Sequence, residues 1–455
     1  MILERPDFET LARDLAGDVI LPADSEYDLA RRVWNGIIDK RPGAIVRCAN
    51  ADDVQAALAF AAFNRITVAV RGGGHNIAGN ATCDNGIVID LSQMKRIEVD
   101  QLNRTARAEG GVLWGELDAE SQRVGLATTG GLVPSTGIAG FTLGGGLGHL
   151  MRSYGLACDN LLSAEVITAD GRRLKASSDE NPDLFWGLRG GGGNFGVVTS
   201  FDFRLHEVGP ILLGGPLAHP WSGARDALRF YRDFAASAPD NLIVYAGLGT
   251  GADGSRRLNM RPVFNGSVSE GLSKVAALRK FGSPIVDGIQ PRPYLEIQKL
   301  IEPAFPRGRL NYWKANFVNE LSDELIDILI DAFRRVPSPY SMVALEPMGG
   351  AVTDVSDTAT AFQHRTAAYS LLILSGWVND ADSEANVTWA RELWHLTQPL
   401  SSSGVYVNYL GTEGDQRVRD AYGVNHARLS ELKRKYDPGN FFRLNQNIEP
   451  APLEQ

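Results

Sequence analysis

Few residues of this 455-residue chain are of the kinds that build disulfides or metal sites. The three cysteines, Cys48, Cys83 and Cys158, lie far apart and fit neither a disulfide framework nor a metal spacing. The seven histidines show no paired metal spacing either. We therefore expect reduced cysteines in the core and no metal centre.

Positive charge and long apolar runs are also scarce. The formal net charge is −9, and no basic run is dense enough for the clustered positive field that a nucleic-acid partner needs. No apolar run approaches the roughly 20 residues of a membrane span, and the first residues do not resemble a signal peptide. We therefore expect a soluble, cytoplasmic protein without nucleic-acid or membrane partners. The oligomeric state stays open, a homodimer included, because a dimer interface resembles any other half-apolar surface.

Glycine, in contrast, is abundant and is concentrated in three loops. The first, Arg71–Gly79, follows a strand-like run, the second lies between Gly130 and Gly148, and the third reads GGGGNFG over residues 190–196. Consecutive glycines leave backbone N–H groups bare for a close ligand. The first loop alone could be a turn before a surface histidine. Three such loops favour convergence on one long phosphorylated cofactor, with His75 beside its reactive ring.

The third loop contains a formal G-x-G-x-x-G pattern at Gly191, Gly193 and Gly196. The dinucleotide fingerprint requires a strand before this pattern and a helix after it. Here a predicted helix, residues 182–188, precedes the pattern and a predicted strand, residues 197–205, follows it. The pattern is therefore not expected to be a Rossmann fingerprint.

The length suggests two domains, and the pattern of apolar residues along the sequence changes near Gly209. The first part begins with a helix predicted over residues 24–40 from its apolar spacing. Residues 44–70 are predicted to form a β-α-β crossover, its helix capped by Asn50, that ends at the first glycine loop. The amide-rich tail, residues 441–448, is too apolar to float free and is predicted to return to this part.

From Gly209 onward, alternating runs and longer helices predict an antiparallel sheet with helices on one face. The predicted strands include 213–217, 242–246, 310–318, 342–348, 369–377 and 405–409. The predicted helices between them are 224–236, 271–280, 323–336 and 383–400.

Alternation along these strands suggests which side chains reach a substrate. In 310–318, Trp313 and Phe317 are expected to pack on the helices, which leaves Tyr312 and Lys314 on the other face. In 342–348, Glu346 shares a face with apolar residues, a setting that would raise the pKa of its carboxyl group and suit it to acid–base chemistry. Alternatively, Glu346 and Lys314 are solvated or form structural ion pairs.

The last predicted strand carries two tyrosines. Tyr406 and Tyr409 are expected on opposite faces, so that only one of them points into a cavity. Tyr409, which follows Asn408, is the one that we predict there.

Five motifs make the sequence resemble one flavoprotein family, the berberine-bridge-enzyme-like branch of the vanillyl-alcohol oxidase superfamily. They are R-x-GGH-x-x-x-G at Arg71–Gly79, P-x-x-G-x-x-G-x-x-x-GGG-x-G at Pro134–Gly148, YGLACDN at Tyr154–Asn160, DLFWGLRGGGGNFGVVT at Asp183–Thr199 and KYDPGNFFRLNQNI at Lys435–Ile448. They occur in order along the whole chain, and their combination is far more specific than any single loop.

The resemblance implies an α+β fold with two domains. FAD would be held by a two-part binding domain of the PCMH type, residues 1–206 and 410–455. A substrate domain, residues 207–409, would face the isoalloxazine ring with its antiparallel sheet.

The resemblance also implies roles for individual residues. His75 matches the residue that family members attach covalently to the flavin 8α-methyl group. Many members add a second bond from a cysteine that here is Val133, so a single covalent link is expected. The other cofactor-binding residues implied are Arg71, Gly72, Gly73, Gly74, Asn76, Gly79, Pro134, Ser135, Thr136, Gly137, Gly140, Gly144, Gly145, Gly146, Gly148, Gly196, Val197, Asn445 and Asn447.

The implied reaction is transfer of a hydride from a C–H bond of a small alcohol or amine to flavin N5, assisted by a base. Molecular oxygen would then reoxidise the flavin and yield hydrogen peroxide, with Thr136 at the family's oxygen-gating position. The base varies among members, so Glu346 and Tyr409 are the catalytic candidates. Tyr312, Lys314 and Tyr369 are the candidates for the substrate pocket.

Two other functions stay open for the same flavin site. The protein could be a dehydrogenase with another acceptor, such as a quinone. It could also be a resistance protein that binds a redox-active small molecule without turnover. A protein without enzymatic activity, in which the glycine loops bind nothing, is disfavoured by the five ordered motifs.

Overall fold

A computed structural model describes residues 7–452, and its N-terminal half contains two larger β-sheets. The first sheet has the order Asp18–Ile20, Ala44–Arg47, Ile87–Asp90, Val68–Arg71, and its last three strands are parallel. The second sheet is antiparallel, in the order Ile97–Asp100, Thr105–Glu109, Val197–Arg204, Leu161–Ile167, Arg173–Ser177. A short ribbon pairs Leu126–Ala127 with His206–Glu207.

The third sheet is antiparallel throughout and confirms the sheet predicted for the second half. Its order is Val286–Asp287, Leu217–Pro220, Arg256–Phe264, Leu242–Thr250, Met342–Pro347, Tyr369–Trp377, Leu310–Val318; Ile211–Gly214 pairs beside Arg256–Phe264, and Gln290–Pro293 beside Ile211–Gly214. The strand Arg256–Phe264 was not predicted, because its three arginines and a proline hide the alternation.

The helices alternate with these strands along the chain. The described α-helices are Phe8–Arg13, Tyr27–Ala30, Ala51–Phe63, Trp114–Gln122, Ile138–Leu143, Met151–Tyr154, Pro182–Leu188, Ala224–Ser237, Val268–Lys274, Ala276–Lys280, Tyr294–Lys299, Asp323–Phe333, Ser383–Thr397, Asp415–Tyr422 and His426–Tyr436. As predicted, the Asn50 side chain caps Ala51–Phe63 by accepting from two backbone N–H groups. Within residues 7–452, no helix combines the length and apolarity needed to cross a membrane.

Three long helices cover one face of the third sheet. Ala224–Ser237, Asp323–Phe333 and Ser383–Thr397 pack there on a core that includes Leu345 and Ile373. Because strand side chains alternate between faces, their sequence neighbours Ala344 and Leu372 point away from the helices. This second face looks toward the glycine loops, which places any ligand between the two halves of the fold.

The prediction of a helix over residues 24–40 is wrong, because only Tyr27–Ala30 of this range is helical. The following residues make hydrogen bonds outside the segment instead: the Trp34 N–H donates to the Gly74 carbonyl and the Gly36 N–H donates to the Arg309 carbonyl, each at 2.9 Å. Leu29, which the helix was expected to bury, is 76% exposed. Tertiary contacts therefore override local periodicity here.

The C-terminal tail returns to the first half, as predicted. Lys433 lies at the junction, where its buried ammonium group donates to the Asn194 carbonyl at 2.8 Å and to the Phe442 carbonyl at 3.0 Å. Its charge is balanced by Asp437 at 2.7 Å.

The domain limits at residues 206 and 410 stay a prediction. The three cysteines are buried and unpaired.

A buried ion pair between the two halves gives a stability prediction. Arg365, fully buried, donates from both terminal nitrogens to Asp159 at 2.9 and 2.7 Å. Arg365→Met is expected to lower the free energy of unfolding by about 3–5 kcal/mol, because Asp159 would keep a buried charge without a counter-ion. Urea unfolding followed by circular dichroism measures this loss.

The control is Arg123→Met, which removes an exposed ion pair with Glu120. Such pairs contribute about 1 kcal/mol or less. Equal losses in the two variants would contradict the structural role assigned to Arg365.

Candidate active site

A cavity of about 1120 Å³ lies between the glycine loops and the helix-free face of the third sheet. All three glycine loops line it, as predicted. The lining glycines of these three loops are Gly72, Gly73, Gly74, Gly131, Gly137, Gly140, Gly192, Gly193 and Gly196. The third loop lies between the helix Pro182–Leu188 and the strand Val197–Arg204, which confirms that it is not a Rossmann fingerprint.

Glycine is required where the first two loops meet. A Cβ atom on Gly73 would lie 2.3 Å from the Gly137 nitrogen, and Gly74 has a φ of +70°. On the cavity side the backbone is open, since a Cβ on Gly140 or Gly193 would meet no atom of the described chain within 4 Å. These loops thus form a bare backbone cradle for a close ligand.

His75 projects from the middle of the first loop into the cavity. Its ring stacks on Trp34, with 5.2 Å between the centroids, and its Nε2 is hydrogen-bonded to the Ser135 hydroxyl at 3.0 Å. Burial lowers the pKa of His75 to about 3, so the imidazole is neutral at physiological pH. A neutral imidazole keeps a lone pair available for a covalent bond.

Other residues predicted to bind the cofactor line the same cavity. They are Asn76, Thr136 and Asn445 together with Gly72, Gly73, Gly74, Gly137, Gly140 and Gly196.

The predicted cofactor residues at the end of the second loop, Gly144, Gly145, Gly146 and Gly148, do not line the cavity, and their role in cofactor binding stays a prediction. Added Cβ atoms would strike Asn408 from Gly144, Phe362 from Gly145, Ala157 from Gly146 and the Gly130 carbonyl from Gly148. These four glycines allow close packing instead.

Six further predicted cofactor residues also lie outside the lining. Arg71 pairs with Asp90 at 2.8 Å, and Gly79 is packed against Ile38. Ser135 is hydrogen-bonded to His75. The others outside the lining are Pro134, Val197 and Asn447.

Glu346 and Tyr409 meet at the wall opposite the loops. The Tyr409 hydroxyl donates to Glu346 Oε1 at 2.8 Å. Glu346 is 3% exposed, and burial raises the pKa of its carboxyl group to about 7 while the hydrogen bond from Tyr409 opposes this rise. The predicted apolar setting of Glu346 is confirmed.

The predicted strand 405–409 is wrong, and so is the inference that its two tyrosines diverge. Val407–Tyr409 forms a turn of 3-10 helix, and the rings of Tyr406 and Tyr409 lie 4.8 Å apart. Both tyrosines line the cavity. The Tyr406 hydroxyl accepts from the Gly146 N–H at 3.0 Å and joins the second loop to the substrate side.

The pocket residues predicted on two strands lie on the wrong face. Tyr312 is hydrogen-bonded to Arg391 of the covering helix, and Lys314 is paired with Glu413 at 2.6 Å, which is the structural ion-pair alternative. Tyr369 packs in the helix-side core. Trp313, expected against the helices, faces the cavity instead. The two faces of Leu310–Val318 were therefore interchanged.

Trp34 and Trp313 were missed by sequence reasoning and complete an aromatic row across the cavity. Trp313 lies 5.7 Å from Trp34 and 5.6 Å from Tyr409, so aromatic rings extend from His75 to the pair of Glu346 and Tyr409. Nothing near Trp34 in the sequence signals this role, because it lies in an irregular segment. Trp313 could have been found only by knowing which face the helices cover.

The residues present fit FAD. Besides the open glycine cradle, Oδ1 of the cavity residue Asn445 is a buried polar atom without a partner among residues 7–452. Buried polar groups are normally satisfied, so this atom indicates a polar ligand. A glycine cradle and a neutral histidine at one end of a cavity, with a buried acid and tyrosine at the other, define a flavin-dependent oxidoreductase.

Comparison with known proteins gives the family. The FAD binding domain family matches residues 42–177, and the berberine and berberine-like family matches residues 405–449. An FAD-linked oxidoreductase of Dictyostelium discoideum is 33% identical over 96% of this chain and 95% of its own. (R)-6-hydroxynicotine oxidase of Paenarthrobacter nicotinovorans is 34% identical over 96% of this chain and 97% of its own.

Solved structures agree with these relatives. Crystalline 6-hydroxy-D-nicotine oxidase of Arthrobacter nicotinovorans superposes with a TM-score of 0.90 at 32% identity, over 96% of this chain and 98% of that one. A berberine-bridge-like protein of Physcomitrella patens shares the fold, with a TM-score of 0.88 at 23% identity over 98% and 99% of the two chains. The chain belongs to the berberine-bridge-enzyme-like FAD-linked oxidoreductases of the vanillyl-alcohol oxidase superfamily.

Proposed function

We propose that this oxidoreductase is an oxidase of a small-molecule alcohol or amine. The substrate would lose one hydride from carbon and one proton from oxygen or nitrogen, forming a C=O or C=N bond. Molecular oxygen would receive the equivalent of this hydride and this proton and would be released as hydrogen peroxide. Bound FAD supplies the hydride acceptor at N5 and passes the two electrons to oxygen.

The observation that carries this proposal is the pair of Glu346 and Tyr409 at the cavity wall. With a pKa of about 7, Glu346 is partly ionised at neutral pH and can take a proton from a substrate O–H or N–H. Its Oε2 atom has no hydrogen-bond partner within residues 7–452, so one acceptor remains for the substrate. Tyr409 holds the other oxygen and orients the carboxylate.

His75 is proposed as the single covalent attachment point of FAD. Its Nε2 is engaged by Ser135, whereas no described residue bonds its Nδ1, so Nδ1 is the nitrogen available to the flavin. Val133 occupies the position of the second attachment residue and cannot form such a bond. Stacking on Trp34 fixes the imidazole plane before attachment.

Thr136 lines the cavity and is proposed to leave a path for oxygen. Thr136→Ile is expected to slow flavin reoxidation about tenfold or more, since an added methylene in a close-packed place costs roughly 1–3 kcal/mol. Thr136→Val keeps the shape and loses only the hydroxyl group. Stopped-flow mixing of photoreduced protein with oxygen measures both variants; equal slowing by valine and isoleucine would contradict a steric gate.

Anaerobic mixing with a panel of alcohols and amines tests the proposed function. At least one compound should bleach the flavin absorbance, and admission of air should restore it with formation of hydrogen peroxide. Bleaching that is restored by a quinone but not by air would favour the dehydrogenase alternative. Tight binding without bleaching across the panel would favour a resistance protein.

A further inference from the structure

The strand Arg256–Phe264 presents a polar row to the cavity. Arg257, Asn259 and Arg261 are half-buried and line the cavity, whereas Leu258 and Met260 belong to the helix-side core. The rest of this sheet face is apolar near Trp313, with Met342 and Leu372 on the neighbouring strands. The cavity therefore has a cationic side and an apolar side.

Neither of these two arginine side chains has an acceptor in the described part of the chain. No side-chain hydrogen bond or ion pair of Arg257 or Arg261 forms within residues 7–452, and their Nε atoms are buried without a partner. The Arg261 guanidinium lies 4.9 Å from the ring centroid of Tyr245, and burial lowers its pKa. The buried arginines Arg71 and Arg365, in contrast, have carboxylate partners.

The neighbouring strand, Leu242–Thr250, leaves the side-chain donors of this polar row uncovered. Gly249 pairs with Arg257 and Gly247 pairs with Asn259, while Tyr245 pairs with Arg261. A Cβ atom on Gly249 would lie only 2.9 Å from the Asn259 amide nitrogen. Glycine at this position keeps open the space above the polar row.

We propose that the substrate carries a carboxylate, which binds to Arg261 with help from Arg257 and Asn259. The planar guanidinium suits bidentate binding of a carboxylate, and a half-buried cation whose Nε is buried without an acceptor gains from such a partner. The inference rests on the proposed function only in taking the occupant of the cavity to be an oxidised substrate.

The distance between the two ends limits the substrate further. Glu346 and Arg261 lie two strands apart, with Tyr245 on the strand between them. A strand spacing of about 4.8 Å places their backbones roughly 10 Å apart. The carbon to be oxidised and the carboxylate are therefore at separate positions of one molecule, whose apolar part packs near Trp313. The substrate class is an aryl or arylalkyl carboxylate bearing an alcohol or amine.

A different role for Arg261 would be to tune Glu346 alone. The positive charge of Arg261 acts to lower the pKa of Glu346, but no hydrogen bond joins them. A tuning role would change the pH dependence of flavin reduction and leave ligand charge preference intact. Ligand binding therefore separates the two roles.

The test uses the holoprotein at neutral pH with benzoate, phenylacetate and 3-phenylpropionate, each beside its primary amide. Calorimetry gives the affinity, and the flavin absorbance reports binding near the ring. We expect at least one carboxylate to bind about tenfold or more tightly than its amide. Arg261→Gln should abolish this preference and Arg261→Lys should retain part of it. Arg256→Gln, on the same strand but exposed and outside the cavity, should leave it unchanged.

Equal affinity for acids and amides in the wild type, including no measurable binding of any of them, would overturn the proposal. So would a preference that survives in Arg261→Gln. Failure of the proposed function looks different: carboxylates would be preferred, yet no carboxylate-bearing alcohol or amine would bleach the flavin. Oxidation of neutral substrates without acid preference would leave the oxidase intact and refute only the carboxylate site.

Discussion

Glu346→Gln is expected to slow anaerobic flavin reduction by substrate about 10²- to 10⁴-fold, the usual contribution of a positioned general base. Glutamine keeps the size of the side chain and can still accept from Tyr409, but it cannot take a proton. Substrate binding should change much less than the rate of reduction. Stopped-flow absorbance of the flavin under anaerobic conditions separates the two quantities.

The rate of flavin reduction should depend on pH through the ionisation of Glu346. Since burial raises the pKa of Glu346 to about 7, the active carboxylate form increases as the pH rises through 7. The wild-type reduction rate should therefore increase from pH 6 to pH 8 and then level off, and Glu346→Gln should lose this dependence. Tyr409→Phe removes the hydrogen bond that lowers the pKa of Glu346, so the rise should move to higher pH.

Asp118 provides the matched control. Burial raises the pKa of its carboxyl group to about 7 as well, but Asp118 is hydrogen-bonded to Gln298 at 2.9 Å and does not line the cavity. Asp118→Asn should keep the wild-type pH profile of flavin reduction. If Asp118→Asn loses the profile and Glu346→Gln keeps it, Glu346 is not the base.

His75→Ala is expected to release the flavin on denaturation. In the wild type the yellow colour should stay with acid-precipitated protein, because a covalent bond survives unfolding. In His75→Ala the colour should move entirely to the supernatant, with FAD bound only by the loops before precipitation. Absorbance spectra of pellet and supernatant measure the change directly.

The same variant should also oxidise substrate more slowly, since a covalent bond at the 8α position raises the flavin reduction potential. His206→Ala is the control: this ring stacks on Tyr154 outside the cavity, and its removal should leave the colour with the pellet. Colour that washes out of the wild type would make His75 a mere neighbour of dissociable FAD.

The parts of the site that depend on short stretches of chain were predictable. The glycines mark the cradle because positive φ and close approach at Gly73 and Gly74 require them. The apolar alternation around Glu346 predicts that this residue is buried, and the pattern needs no knowledge of tertiary contacts. Both are local signals.

The parts set by tertiary packing were not predictable. Alternation separates the two faces of Leu310–Val318, but both carry aromatic residues, so it does not tell which face meets the helices. That is why Tyr312 was expected in the pocket and Trp313 was not. The polar row of Arg257, Asn259 and Arg261 was not predictable for the same reason. In the sequence its two arginines look like solvent-exposed residues, because the other half of the fold that covers them is not apparent there.

Whether this FAD-linked protein is an oxidase can be tested without knowing the substrate. Purified holoprotein is photoreduced under anaerobic conditions and mixed with air-saturated buffer, while flavin absorbance and hydrogen peroxide are recorded. We expect complete reoxidation within seconds and one hydrogen peroxide per flavin. A flavin that stays reduced in air for many minutes, yet is reoxidised at once by a quinone, would show that the protein is a dehydrogenase and not an oxidase.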